Sequence, residues 1–351
     1  MKKYLVILVT VMMIVFSLPG CGTAASALTR YSRSSFELFD TVAVITGFDT
    51  SGEAFDAKAD WLLELLEEYH QLYDIYHDYE GINNLKTVND NAGVRPVPVD
   101  KRILDLLEYS IEMYHVTDGF TNAAMGSVLS VWHRYREAGA DDPEHAKLPS
   151  REELDDAAQH MDISGIILDR TENTVYLSDP KMQLDVGSIA KGYATERLAA
   201  AAEEKGWDHL AFSIGGNVRT VGTKGDGSPW TAGIQNPDPG AQDAPICRVA
   251  LTDLALVTSG SYQRYYTVDG VRYHHIIHPD TLYPENRFVS VSIVCGNSGM
   301  ADALSTAVFN MEYQDGRALI DSMDGVEAAW VDAEGGFDYT DGFAAMLIEE
   351  E

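Results

Sequence analysis

Asp302 and Thr306, within Met300–Phe309 (MADALSTAVF), stand four residues apart and on a helix would stack on one face. A carboxylate and a hydroxyl are hard oxygen donors, which suit magnesium far better than zinc. The same spacing also serves a plain helix, with Asp302 as a cap and Thr306 bonded back to a carbonyl. A second grouping occupies Leu184–Ala194 (LDVGSIAKGYA). Here Asp185 is expected to close a strand, a glycine permits a tight turn, and small residues open a helix whose free N–H groups can face an anion. Lys191 in the first turn adds positive charge, unless Asp185 only caps and Lys191 only meets solvent.

Two further segments carry weaker signals. In Phe212–Val218 (FSIGGNV), Gly215 and Gly216 precede Asn217 after an apolar strand, which admits a ligand closely or makes a hairpin. Val257–Arg264 (VTSGSYQR) is followed by Tyr273–Pro284 (YHHIIHPDTLYP), where three histidines fall within five residues. A strand would send His274 and His275 to opposite faces, with Ile277 on the side of His275. His275 and His278 lack the four-residue spacing of a helical metal pair. A catalytic histidine fits this pattern better than a zinc cluster.

The elements that must position these groups follow from hydrophobic period. Phe36–Gly47 alternates as a first strand, and Asp56–Tyr79 repeats apolar residues at helical spacing, as does Asp100–His115. Arg151–His160 reads as a short helix, and strands at Gly165–Leu168 and Thr174–Leu177 flank a turn. Ser188–Lys205 is a helix ended by Gly206. His209–Ile214, Val218–Thr223, Trp230–Gln235, Arg248–Val257, Arg272–Ile277 and Arg287–Val294 read as strands. Most connections are too short for parallel crossovers, so the expected class is α+β with a mainly antiparallel sheet and packed helices.

The chain begins with Lys2 and Lys3, an apolar run from Leu5 to Phe16, and Ser17–Leu18–Pro19–Gly20 before Cys21. This predicts a lipoprotein signal over residues 1–20, lipid attachment at Cys21, and a cell-membrane location on the extracytoplasmic face. Residues 21–35 read as a flexible tether and residues 36–351 as one catalytic domain. Without Lys2 and Lys3 the chain keeps 23 basic against 55 acidic residues, a formal charge of −32 derived from the −30 of the whole. Such acidity excludes nucleic acid as a surface partner. Cys247 and Cys295 either pair or stay as buried thiols.

In this order, LDVGSIAKGYA, SIGGN, TSGSYQR, HHIIHPDT and ADALSTAVF resemble the ApbE family of flavin transferases over roughly Phe36–Phe309. The resemblance implies transfer of FMN from FAD to a threonine or serine of an acceptor flavoprotein, with magnesium and release of AMP. Acceptors implied are subunits of membrane redox complexes or extracytoplasmic reductases. It further implies that Asp185 and Lys191 contact FAD, and that the Ser188 backbone, Asp302 and Thr306 hold the metal, with Ser305 able to approach it. Phe39, in Phe39–Asp40–Thr41, would lie against the flavin, and Tyr76, at the end of the long helix, would pack on it. Phe120, Thr121 and Asn122 would close on FAD, joined by Gly215, Gly216, Asn217 and Ile277. His275 would stand near the pyrophosphate and the acceptor hydroxyl, as general base. Asp40, Asn122 and Leu282 depart from the family's usual glycine, aspartate and glycine. FAD hydrolysis and flavin binding without catalysis are the alternatives.

Overall fold

The computed structural model describes residues 28–237 and 245–349. The signal, Cys21 and residues 22–27 of the expected tether lie outside them. In chain order, β1 (Thr29–Ser35), β2 (Ala43–Asp49) and α1 (Gly52–Tyr73) come first, then α2 (Leu85–Asp90), β3 (Val97–Pro98) and α3 (Lys101–Val116). There follow α4 (Gly126–Asp141), α5 (Arg151–Ala158), β4 (Ile166–Asp169), β5 (Thr174–Leu177), α6 (Ala190–Glu204), β6 (Leu210–Ile214) and β7 (Asn217–Val221). The remainder holds β8 (Trp230–Gln235), β9 (Pro245–Leu251), β10 (Ala255–Gly260), β11 (Tyr265–Val268), β12 (Val271–His274) and β13 (Phe288–Cys295). Last come α7 (Ser298–Asn310), α8 (Tyr313–Asp321), β14 (Glu327–Asp332), β15 (Phe337–Tyr339) and α9 (Asp341–Ala344).

Eight strands form the central sheet in the order β1-β2-β6-β7-β10-β13-β14-β15, and every pairing in it is antiparallel. The α+β class with a mainly antiparallel sheet is therefore what the chain adopts. One face carries α6 and α7 side by side, α6 against β6 and β7, α7 against β10 and β13. Helix α7 is buried nearly all round, as its Ala-rich sequence allows. Around α6, the buried Phe55, Leu62 and Leu66 of α1 and Leu104 and Leu107 of α3 fill the largest core.

A buried ion pair ties these layers together. Arg219 of β7 donates from Nε to Glu196 Oε2 of α6 at 3.0 Å and from Nη2 to Oε1 at 3.3 Å. The same Oε2 accepts the Ser298 N–H at the start of α7, at 2.7 Å. One carboxylate thus joins a strand to the two helices that bear Lys191 and Asp302.

Several expected elements differ in place. Residues 29–35, assigned to a flexible tether, form β1, because their extended run pairs residue by residue with β2 from Thr29↔Asp49 to Ser35↔Ala43. Ordered structure therefore starts before Phe36. The expected strand over 36–47 is a 3-10 turn at Leu38–Asp40 followed by β2. The long helix ends at Tyr73, where Asp74 takes extended backbone angles, so Tyr76 lies in the loop beyond it. Arg248–Val257 is two strands, β9 and β10, split by a turn at Asp253 with φ 54°. Helix α4 had no expectation in the sequence. Cys247 and Cys295 are both free thiols.

Replacing Glu196 by Ala would leave the buried Arg219 guanidinium with only the half-exposed Glu203 carboxylate, 3.3 Å from Nη2, and the Ser298 N–H without its acceptor. We expect this to cost about 3 kcal/mol, the low end for a broken buried pair because Glu203 remains, read as a lowered urea midpoint.

Candidate functional site

A single deep pocket collects most of the residues singled out from sequence. Its lining includes Phe39, Tyr76, Phe120, Thr121, Asn122, Asp185, Ser188, Lys191, Gly215, Asn217, His275, Ile277, Asp302 and Thr306. They come from segments up to more than two hundred residues apart, which only the packing of α6 and α7 on the sheet brings together.

The close contact of those helices is set by Gly192. A Cβ there would fall 2.2 Å from the Ser298 carbonyl oxygen and 2.5 Å from Asp302 Cβ, so no larger residue fits. With nothing in the way, the Gly192 N–H donates to Asp302 Oδ2 at 2.8 Å, across 110 positions of sequence. Lys191 Nζ stands 3.8 Å from the same oxygen. Burial pushes the Asp302 carboxyl up, while Lys191 and the Gly192 N–H oppose that rise. This buried carboxylate, with Thr306 and Ser188 lining the same pocket, offers hard oxygen donors that fit a divalent cation. Among the described residues no three His, Cys, Asp or Glu gather where they could hold a metal ion.

Asp185 follows no regular strand. It sits after the isolated bridge Met125↔Gln183, and its Oδ1 accepts the Gly187 N–H at 2.8 Å, forming the turn into α6. Burial pushes its pKa up, offset by Gly187, His133, Arg136 and Lys191. Lys191 reaches the pocket and does not simply extend into solvent.

The strand bearing the histidines ends at His274, so strict alternation stops there, and His275, Ile276 and Ile277 all line the pocket. The main-chain oxygen of Arg264 accepts both the His275 N–H, at 3.1 Å, and its Nδ1, at 3.2 Å. Nδ1 therefore carries the ring proton and Nε2 is an acceptor. Burial first, then the positive charges of Arg264 and Arg136, push His275 down to about 3. His274 is buried elsewhere, its Nε2 2.8 Å from the Glu285 oxygen.

For four of the expected residues the contact with the cavity is either missing or not made by a free side chain. Ser305 does not line the pocket; it is wholly buried and donates to the Asp302 carbonyl at 2.9 Å, with Ser259 2.8 Å away, so it braces the helix behind the carboxylate. Gly216 is exposed at the hairpin tip while Gly215, with φ 57° and Thr41 packed against it, faces the cavity. Thr121 and Asn122 line the pocket but spend their side chains inward: Thr121 Oγ1 donates to Ala303 O at 2.8 Å, and Asn122 bonds Met161 O and Ala124 N–H. Phe120 packs edge-on to His278 at 5.3 Å.

Other lining groups carried no warning in the motifs. Arg136 and His133 come from α4, and Arg136 Nη2 lies 2.8 Å from His133 Nδ1, whose ring stacks with Tyr76 at 5.4 Å. Arg264 closes the VTSGSYQR segment, whose pattern gave it no role. Among the described residues neither arginine has a carboxylate within ion-pair range, although the chain is strongly acidic. Val128, Val131 and Trp132 at helical spacing were the available signal for α4.

The profile of the ApbE family matches residues 39–330. The chain belongs to the ApbE family. A protein of Treponema pallidum named FAD:protein FMN transferase is 31% identical over 326 residues, covering 89% of this chain and 87% of that one. One of Klebsiella pneumoniae with the same name is 30% identical over 79% of this chain and 82% of its own length. The crystal structure of an ApbE protein from Thermotoga maritima superposes with a TM-score of 0.80 at 28% identity, covering 92% of this chain and all of that one. The flavin transferase ApbE from Vibrio cholerae, at 24% identity and TM-score 0.75, shares the fold. Like these relatives, this ApbE protein is a transferase.

Two departures from the family pattern have a backbone explanation. Asp40 and Leu282, where glycine is usual, take φ of 51° and 62°, the left-handed region glycine enters freely. Phe39 precedes Asp40 with φ 55°, so two consecutive non-glycine residues hold this conformation at the pocket edge. Strain of order 1–3 kcal/mol per residue must be met by surrounding contacts.

The ordinary pKa of His275, 6.5, lies above the folded value of about 3, so between those pH values the unfolded chain binds the extra proton. The stability from a neutral His275 is full above pH 6.5 and lost as pH falls toward 3. His275→Gln should therefore flatten the fall of the urea midpoint over that range. An unaltered slope would show a ring that titrates alike in both states.

Proposed function

We propose that this chain is a magnesium-dependent FAD:protein FMN transferase. The observation that carries the reading is the meeting, in one pocket, of Asp302, Thr306 and Ser188 with Lys191, Arg136, Arg264 and His275. Oxygen donors for a cation and positive side chains for phosphates converge beside aromatic Phe39 and Tyr76, a combination suited to a flavin dinucleotide.

In this reading Asp302, Thr306 and the Ser188 main chain hold the magnesium, which when bound offsets charge on the phosphates. The hydroxyl oxygen of an acceptor threonine or serine forms a bond to the phosphorus nearer riboflavin. The bond from that phosphorus to the bridging oxygen breaks, and AMP departs with the electron pair. Nε2 of His275 takes the hydroxyl proton, being the bare nitrogen of the ring. A pKa near 3 makes it a weak base in the unliganded site. Bound phosphates oppose the charges of Arg264 and Arg136, two of the causes of that depression, and so raise its basicity when substrate is present. Lys191 steadies a phosphate oxygen, and positioning with electrostatics supplies most of the rate.

The acceptor is proposed to be an extracytoplasmic flavoprotein or a subunit of a membrane redox complex. Lipid attachment at Cys21 would tether the enzyme on the outer face of the cell membrane, where such acceptors are reached. Cys21→Ser should move the protein from the membrane to the soluble fraction.

Incubation with FAD, Mg2+ and a candidate acceptor tests the chemistry. Covalent flavin fluorescence on the acceptor is expected; free FMN alone would indicate hydrolysis, and unchanged FAD would indicate binding only. Asp302→Ala should lower magnesium-dependent turnover by about 100-fold or more. Full activity in that variant would remove Asp302 from the metal site.

A further inference from the structure

Asp74 ends α1 with its side chain only 4% exposed, and it satisfies four donors. Its Oδ1 accepts the N–H groups of Tyr76, at 2.6 Å, and His77, at 3.1 Å. Its Oδ2 accepts the Tyr79 hydroxyl at 2.8 Å and faces His77 Nδ1 at 2.9 Å. Burial works to raise this carboxyl, yet the bonds outweigh it and hold the group below the usual carboxylate range.

From Tyr79 the chain of bonds continues to the turn at Phe39. The Tyr79 oxygen lies 3.3 Å from His70 Nε2, and His70 Nδ1 accepts the Phe39 N–H at 3.2 Å. Since Nδ1 accepts, Nε2 bears the proton and donates to Tyr79, which in turn donates to Asp74. Every bond points the same way, toward the carboxylate, an arrangement in which each polarises the next. The His70 ring also packs edge-on to Phe39 at 5.5 Å and to Tyr79 at 6.2 Å. Phe39 is the first of the two left-handed residues, so His70 anchors the strained turn at its main chain.

We propose that Asp74, Tyr79 and His70 form a positioning relay that sets Phe39 and Tyr76 relative to each other as paired aromatic walls for the planar flavin ring. The inference rests on the flavin reading of the pocket. Asp74 fixes the Tyr76 main chain directly and the Phe39 turn through Tyr79 and His70. None of the three relay side chains takes part in the bond-making step. They act on the ring system through the two aromatic residues, while the adenylate half of the dinucleotide lies outside their influence.

Tyr79→Phe keeps the ring and deletes both hydroxyl bonds, and His70→Asn keeps an acceptor for the Phe39 N–H that His70→Ala lacks. Affinities of each variant for FAD and for AMP, with thermal unfolding alongside, test the relay. Tyr79→Phe should weaken FAD binding about five- to tenfold, the worth of one or two net hydrogen bonds, and leave AMP binding within about twofold. His70→Asn should recover part of the FAD affinity lost in His70→Ala. Equal losses for FAD and AMP would mark a general structural role and overturn the relay, as would unchanged FAD affinity. If Tyr79→Phe does not fold, the comparison of His70→Asn with His70→Ala decides alone. Covalent transfer with an FAD affinity indifferent to these changes would reject the relay and keep the transferase. A selective FAD effect without covalent transfer would do the reverse.

Discussion

The Gly192 N–H bonded to Asp302 is the contact on which the site depends. It exists because α6 and α7 touch where one residue has no side chain, and a carboxylate from the second helix enters the space. That bond partly compensates a buried charge, places Lys191 beside it, and brings the Ser188 turn into the same cavity. The Glu196 carboxylate, paired with Arg219, holds the start of α7 against the middle of α6, and Ser305 braces the main chain under Asp302. Small residues and one buried ion pair thus do for α6 and α7 what large apolar side chains do for the outer helices.

Charge is distributed by place and not by amount. The chain as a whole carries −30, but the pocket receives Lys191, Arg136 and Arg264, while of the four carboxylates that line it, Asp40, Asp74, Asp185 and Asp302, burial pushes Asp185 and Asp302 toward neutrality and Asp74 is tied up by its own hydrogen-bond donors. A site of this kind attracts phosphates despite the acidic exterior, since local charges in a poorly solvated cavity outweigh screened surface charge. The same desolvation and the two guanidiniums keep His275 neutral.

Much of this is legible in the amino-acid sequence. The three- and four-residue period located α3, α6 and α7 to within about two positions, because those helices bury one face or all faces, and found α1 with an overrun of six residues at its end. Alternation and turn residues located β6, β7, β8 and β13. Errors gathered where local pattern and tertiary pairing disagree. Thr29–Ser35 is polar on both faces and resembles a linker; it becomes a strand only because β2 offers an unpaired edge. Helix α1 stops at Tyr73 although apolar spacing runs on to Tyr76, because Asp74 turns its carboxylate back to cap the following N–H groups.

The sequence by itself determined the class of fold, the family, and the residue types of the site, since these rest on periodicity and on short motifs whose chemistry is local. It could not decide which of those residues face the cavity. Ser305 and Thr306 are adjacent in sequence, yet one is buried behind the carboxylate and the other lines the pocket, a difference of helix rotation against the sheet. Nor could it find Arg136, His70 or Asp74, whose roles come from partners brought near by packing alone. Side-chain direction and long-range hydrogen bonding are properties of the assembled layers, and those only the tertiary structure decided.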